Sequence, residues 1–278
     1  MTGSGRGPRG LVPALHCHRA ASSATADEPV ARNPRVVRSS AARPRLVAVT
    51  EHVADHTERA SALHAYADEA AGCTRCPLAV GRTQVVFGAG NPDADLLFVG
   101  EAPGFHEDQQ GVPFVGQAGK LLDKLLGEIG LQRSDIYIAN VLKCRPPQNR
   151  DPLPEEIAAC ESHLFRQIEL IQPKLVATLG NFATKLLSGQ PLGITRVHGH
   201  EQEVTLGRSR VLLYPIYHPA AALYTPSMLK VLSEDFARIP ALIQRTAATI
   251  AVAPPNTVDD VPAAAYAREA EPVQLGLF

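Results

Sequence analysis

Between residues 59 and 246, short apolar runs alternate with amphipathic stretches, and this rhythm leaves few folds open. An unbroken apolar run of five or six residues needs cover on both faces, which a parallel sheet between helical layers supplies. Asp95 to Val99, Ile136 to Val141, Lys174 to Leu179 and Val211 to Tyr217 read as four such strands. Between them, Gly119 to Ile129 carries Leu121, Leu122, Leu125, Leu126 and Ile129 at helical spacing. Pro154 to Ile171 reads as a helix with Pro in its first turn and Glu155 and Glu156 near the positive end of its dipole. Ser61 to Ala71, Asn181 to Leu187 and Ser227 to Arg245 read as further helices, and 194–210 as a small hairpin. The fold class that follows is α/β, a three-layer αβα arrangement around a central four-stranded, mainly parallel sheet.

The flanks differ. Residues 1–58 are rich in Arg, Ala, Ser and Pro without a hydrophobic period, so the expectation is a disordered leader. A transit peptide, a mistaken start and a solvated tail share this composition. Residues 247–278 form a second expected flexible tail, of Ala, Pro and isolated acids. The formal charge of -1 hides an imbalance, since residues 1–50 hold eight Arg against two acids and the rest is acidic. Bulk charge therefore does not announce a nucleic-acid binder. No apolar run approaches the ~18 residues of a membrane span, so no membrane contact is expected. Five cysteines in 278 residues do not make a disulfide scaffold, and a cytoplasmic, reducing setting is expected.

Cys73 and Cys76 form a C-x2-C pair, while Cys144 and Cys160 are split by fifteen residues. Redox dithiols and zinc knuckles share the first pattern, and a buried Cys160 is also an ordinary apolar helix residue. Zinc ribbons pair two compact knuckles. Four thiolates drawn from distant points suit an iron–sulfur cluster better.

In doubly wound sheets ligands bind beyond the carboxyl ends of the strands. After the first strand come Gly100, Glu101, Ala102, Pro103 and Gly104, then Glu107 and Asp108, then Pro113, Phe114, Val115 and Gly116. Asn140 follows the second strand and His218-Pro219-Ala220 the fourth. Singly, each residue has an ordinary structural reading as cap, core or turn. Together they describe a pocket with an aromatic platform, an amide, an imidazole and a carboxylate, which suits a planar base better than a phosphate. No Walker sequence or G-x-G-x-x-G follows a strand, so no nucleotide cofactor is indicated.

These motifs, with Asn140-Val141-Leu142-Lys143-Cys144-Arg145-Pro146-Pro147, resemble the family 4 uracil-DNA glycosylases over about residues 60–245. Uracil-linking relatives that trap DNA covalently are also similar, but carry Gln at the third place of Gly-Glu-Ala-Pro-Gly and a basic, His-containing insertion. Here Ala102 holds that place and the insertion is missing, so the hydrolytic family fits. The resemblance implies a [4Fe-4S] cluster on Cys73, Cys76, Cys144 and Cys160. It also implies a uracil pocket of Glu101, Ala102, Pro103, Gly104, Glu107, Phe114, Asn140 and His218. Glu101 and His218 are the implied catalytic groups, the first on water and the second on uracil O2, and Glu107 the implied steric block over C5.

Uracil-containing DNA, single- or double-stranded, is the implied partner of a monomer. Arg145, Arg150 and Lys230, with Arg196 and His198, are the expected phosphate contacts, and Leu223 and Tyr224 the expected wedge into the emptied stack. A non-catalytic or covalent uracil binder and an iron–sulfur electron carrier are the rival readings, separated by whether uracil is released. At the far end, Gln274, Leu275, Leu277 and Phe278 resemble the Gln-Leu-x-Leu-Phe peptide that bacterial repair proteins insert into the replication sliding clamp.

Overall fold

The structure, a computed structural model, describes residues 47–250. Helix α1 (Val47–Ala71) leads through the single turn α2 (Leu78–Gly81) to a two-residue strand β1 (Ala89–Gly90). Strand β2 (Leu96–Gly100) is followed by α3 (Phe105–Gln110) and α4 (Gln117–Glu128), and β3 (Tyr137–Asn140) by α5 (Pro154–Ile171). Strand β4 (Leu175–Leu179) precedes α6 (Asn181–Ser188) and α7 (Ile194–Val197). Strands β5 (Gln202–Leu206) and β6 (Ser209–Ile216), then α8 (Pro219–Ala222) and α9 (Pro226–Ile250), complete the described chain.

The strands form one mixed sheet in the order β1-β3-β2-β4-β6-β5. Its middle, β3-β2-β4-β6, is parallel and corresponds to the four expected strands. The expected four-stranded sheet is thus corrected to six strands, because β1 and β5 add antiparallel edges. Neither edge carries an apolar run. β1 is two residues long and ends at Gly90, where a Cβ would collide with the Ile136 carbonyl. β5 alternates in burial, as an edge strand covered on one side does. The hairpin expected over 194–210 lies later, formed by β5 and β6 around Gly207, while Ile194–Val197 is a helical turn.

Alternate residues of the buried strands feed two cores. Leu97, Val99, Val176 and Leu213 pack beneath Leu63 of α1, Leu164 and Ile168 of α5 and Leu187 of α6. Leu96, Phe98, Ala177 and Tyr214 pack beneath Leu122 and Leu125 of α4 and Leu232 and Phe236 of α9. At the start of α5, the buried Glu156 carboxylate accepts the Leu153 N–H at 2.9 Å, satisfying a donor that the helix leaves unpaired.

Helix α1 starts at Val47, N-terminal to the boundary drawn at residue 59, because a helix nucleated where α1 packs on α5 extends at small cost per residue. The rest of the expected leader, and the tail from residue 251 with Gln274, Leu275, Leu277 and Phe278, lie outside the described residues. Among the described residues no helix is long and apolar enough to cross a membrane.

Candidate active site

Because the four central strands are parallel, their carboxyl ends share one edge, where Gly100 lies opposite Asn140 and β4 and β6 end beside them. A Cβ at Gly100 would collide with Asn140 Oδ1 and lie 2.8 Å from the Phe114 ring. Glycine is therefore what lets the amide and the aromatic ring close over the end of β2. The Phe114 ring stacks on His218, centroids 5.5 Å apart and planes at 28°. The expected platform, amide and imidazole thus meet at one place.

Phe114 holds this position with φ of 56°, a left-handed conformation that costs a bulky residue energy. Its surroundings over-determine it. Glu107 Oε1 accepts the N–H groups of Val115 and Gly116, each at 3.0 Å. Arg133 donates to the carbonyls of Pro113, at 3.0 Å, and Phe114. Gly119 lets α4 pass so close that a Cβ there would strike the Phe114 carbonyl. Glu107, expected over C5 of the base, therefore also braces the loop that carries the platform, and its Oε2 lies against Gly104.

Asn140 is 2% exposed, and its Oδ1 has no hydrogen-bond partner among the described residues. A buried carbonyl oxygen left so costs about 1–3 kcal/mol, a cost that a ligand N–H offsets. The carbonyl of the same residue accepts from Lys143 Nζ at 2.8 Å. Lys143 is itself 1% exposed and donates also to Gln167 Oε1, while Gln167 donates to the Phe87 carbonyl at 2.8 Å. Burial pulls the Lys143 ammonium down to about 8. This buried chain anchors the end of β3, and sequence reasoning missed it.

His218 caps α8, its Nδ1 accepting the Ala220 N–H at 3.1 Å. Burial pulls the imidazole down to about 4, against the opposing pull of Glu107. At neutral pH the ring is therefore uncharged, with its proton on Nε2. Glu101 moves the other way: burial, helped by the charge of Asp151, pushes its carboxyl up to about 7. A carboxylate so poised suits a general base at neutral pH. Between about 4.5 and 7 the folded state holds this proton more tightly than the unfolded one, so the group's contribution to stability falls as pH rises through that window. If Glu101 activates water, the single-turnover rate rises about tenfold per pH unit below about 7 and levels off above it. Glu101→Gln is expected to flatten that limb; a wild-type profile level from about pH 5 to 9 would remove Glu101 from the role.

Ala102 packs on the core, and Pro103 is buried in the turn between Glu101 and Gly104. Arg145 is half-buried, with Nε donating to Asn149 Oδ1 at 2.7 Å. Arg150 is engaged with Glu156 through two hydrogen bonds of 2.6 and 2.9 Å, so it braces the start of α5 rather than standing free for a phosphate. Lys230 is exposed, paired at 3.8 Å with Glu234 one helical turn on, a weak surface contact that a phosphate can displace. His198 bonds Asp235 at 3.3 Å, while Arg196 is exposed on α7. Leu223 closes α8, and Tyr224 is 89% exposed beside it, as a wedge requires.

Cys73, Cys76, Cys144 and Cys160 line one cavity, with Arg75, Arg82, Lys143 and His163 among its other walls. None of the four is in a disulfide. Among the described residues no three His, Cys, Asp or Glu side chains converge closely enough for a single metal ion. The donor set fits a larger, thiolate-held group: four sulfurs, no carboxylate in the lining, and N–H donors on three of the sulfurs. Lys143 N–H lies 3.3 Å from Cys160 Sγ, Arg75 Nε 3.5 Å from Cys73 Sγ and Arg82 Nη1 3.4 Å from Cys144 Sγ. Burial opposes ionisation of Cys73, yet the hydrogen bonds and charge of Arg75 hold its thiol below the ordinary value. The cavity is tied to the pocket, since the loop after Arg82 gives its Thr83 N–H to the buried Asp108 of α3 at 2.9 Å.

The family model of the uracil DNA glycosylase superfamily matches residues 87–239. The type-4 uracil-DNA glycosylase of Sulfurisphaera tokodaii is 47% identical over 177 residues, covering 62% of this chain and 80% of its own. That of Archaeoglobus fulgidus is 47% identical over 175 residues, 62% of this chain and 88% of its own. That of Thermotoga maritima is 45% identical over 176 residues, 62% of this chain and 90% of its own. The chain belongs to the uracil-DNA glycosylase superfamily and, within it, to the type-4 family.

Proposed function

We infer that the chain releases uracil from DNA by hydrolysing the N-glycosidic bond of deoxyuridine, leaving an abasic site for repair. The observation that carries this reading is the buried, unpartnered Asn140 Oδ1 beside Phe114 and His218. Uracil presents a donor at N3 and an acceptor at O4, which a carboxamide matches with its oxygen and its NH2; cytosine presents the reverse. A mismatched buried pair discriminates more strongly than shape. The deoxyuridine leaves the stack to reach this recess, and Phe114 covers one face of its ring. As the bond breaks, negative charge gathers on the base and positive charge on the sugar. The neutral His218 donates its Nε2–H to O2, and Glu101 takes the proton of the attacking water. An end-labelled oligonucleotide with one deoxyuridine, incubated with the protein and then alkali, tests the reading: scission with free uracil supports it, and retention without scission favours a binding protein.

Cys73, Cys76, Cys144 and Cys160 would hold a [4Fe-4S] cluster. Bound there, it would cross-link the segment after α1, the loop after β3 and helix α5. The purified protein is expected to be brown, absorbing near ~400 nm, with about four iron atoms per chain. A colourless, active preparation holding one zinc would contradict the assignment.

The reading extends to a cytoplasmic monomer that meets DNA through Arg145, Lys230, Leu223 and Tyr224. Gln274, Leu275, Leu277 and Phe278 carry, by sequence alone, the proposal of a sliding-clamp contact, which a pull-down with and without residues 274–278 tests.

A further inference from the structure

Phe105 begins α3 directly after Gly104, and it is 53% exposed on the rim of the pocket. A single exposed ring is ordinary by itself, so the weight falls on what holds it, on a helix that turns Asp108 inward. The ring is not loose. The Arg145 guanidinium lies over it at 5.1 Å, itself held by its bond to Asn149 Oδ1, and His106 meets it edge-on at 5.4 Å. Asn149 and its neighbour Gln148 both take left-handed φ, of 55° and 57°, so the loop that holds Arg145 is bent into place. A planar cation stacked on an aromatic ring, half in solvent, is a surface on which a nucleobase stacks with little sequence preference.

The strand order says where this platform stands. Phe105 follows β2 and Arg145 follows β3, whereas Leu223 and Tyr224 follow β6, with β4 between. β3 and β6 are three strand spacings apart, about 14 Å. The Phe105–Arg145 platform therefore follows the same two strands, β2 and β3, whose ends Gly100 and Asn140 form the recess, whereas the Tyr224 wedge follows β6, toward the other side of the sheet.

We propose that the Phe105–Arg145 pair is a stacking subsite for the base of the nucleotide next to the flipped deoxyuridine. This rests on the uracil-excision reading, and it adds a contact that holds the neighbour while the target is out of the stack. The subsite acts on binding, since it touches neither uracil nor the breaking bond.

The test is a cycle on single-stranded oligonucleotides with one deoxyuridine, in which the 5′ or 3′ neighbour is either intact or an abasic tetrahydrofuran. For the wild type, removing one of the two neighbouring bases is expected to raise KM about five- to one-hundred-fold, the range of one base–aromatic stack. Phe105→Ala is expected to cost the same on the intact substrate and nothing more on that abasic one, with the saturated single-turnover rate unchanged. Phe105→Trp is expected to keep the intact-substrate KM within a few-fold of wild type and restore its sensitivity to the missing base, which shows that a loss in the Ala variant is not misfolding. If the two losses multiply, or if Phe105→Ala leaves KM unchanged, the ring does not stack on that base and the proposal fails. Failure of the wild type to release uracil from any of these strands would instead overturn the glycosylase reading itself.

Discussion

His218→Ala is expected to slow uracil release by about 10²- to 10³-fold in single-turnover kinetics, while affinity for uracil-containing DNA changes little. The size is that of removing one donor aimed at charge that develops only in the transition state. The reason lies in how the imidazole is held. Nδ1 is occupied by the Ala220 N–H, so the ring's proton sits on Nε2. Burial keeps the ring neutral down to about pH 4. Under the proposed reading, its hydrogen bond to uracil O2 would be weak while the oxygen is a neutral carbonyl and strong once it carries charge, lowering the barrier and not the ground state. The residual rate should keep the pH limb assigned to Glu101. Unchanged chemistry with weakened DNA binding would move His218 from catalysis to docking.

Asn140→Asp is expected to cost more. An ionised carboxylate still accepts from N3–H but sets a negative oxygen against uracil O4, where the amide offered a donor. Burying a charge there carries its own penalty, because Asn140 is almost fully enclosed. A loss of about 10⁴-fold in kcat/KM on uracil is expected, the order found when a site built for one hydrogen-bonding pattern meets another. Thermal unfolding of the variant, followed beside the kinetics, separates a changed reader from a broken β3 edge. A variant that folds and excises uracil at the wild-type rate would remove Asn140 from base reading.

The parts of the fold that sequence reveals are those with only one physical solution. Leu96–Gly100 and Leu175–Leu179 are buried on both faces, so their apolar runs allow little but central parallel strands. Helix α5 has the same bounds in sequence and structure because Pro154 opens it, and at its other end Gln172 turns left-handed. Edges are harder to see. β1 is only two residues long and leans on β3 for its pairing, and β5 offers no more than the alternation of Val204 and Leu206. Helix α3 is short and mostly polar, so its sequence looks like a loop.

The site divides in the same way. Asn140 and His218 stand at strand ends, and counting from the strands is enough to place them, whereas Phe114 sits between α3 and α4, where only the fold brings its ring to the end of β2. Their support comes from long range. Gln167 is twenty-four residues from Lys143, and Arg133 nineteen from Phe114, so no local spacing announces either bond. Phe105 has an apolar side chain in a polar stretch, a weak signal until Arg145 is seen over its ring. Arg150 is the converse: a basic residue beside the expected DNA path whose partner, the buried Glu156, lies six residues on in α5.

The most direct measurement compares excision from three oligonucleotides identical except for one base: uracil, cytosine or 3-methyluracil. Methylation at N3 removes the donor that the buried Asn140 Oδ1 lacks and leaves O2, the sugar and the breaking bond as they were. Release of uracil, with cytosine and 3-methyluracil retained, is the expected result. Release of 3-methyluracil at the rate of uracil would contradict the central claim that this oxygen reads the base.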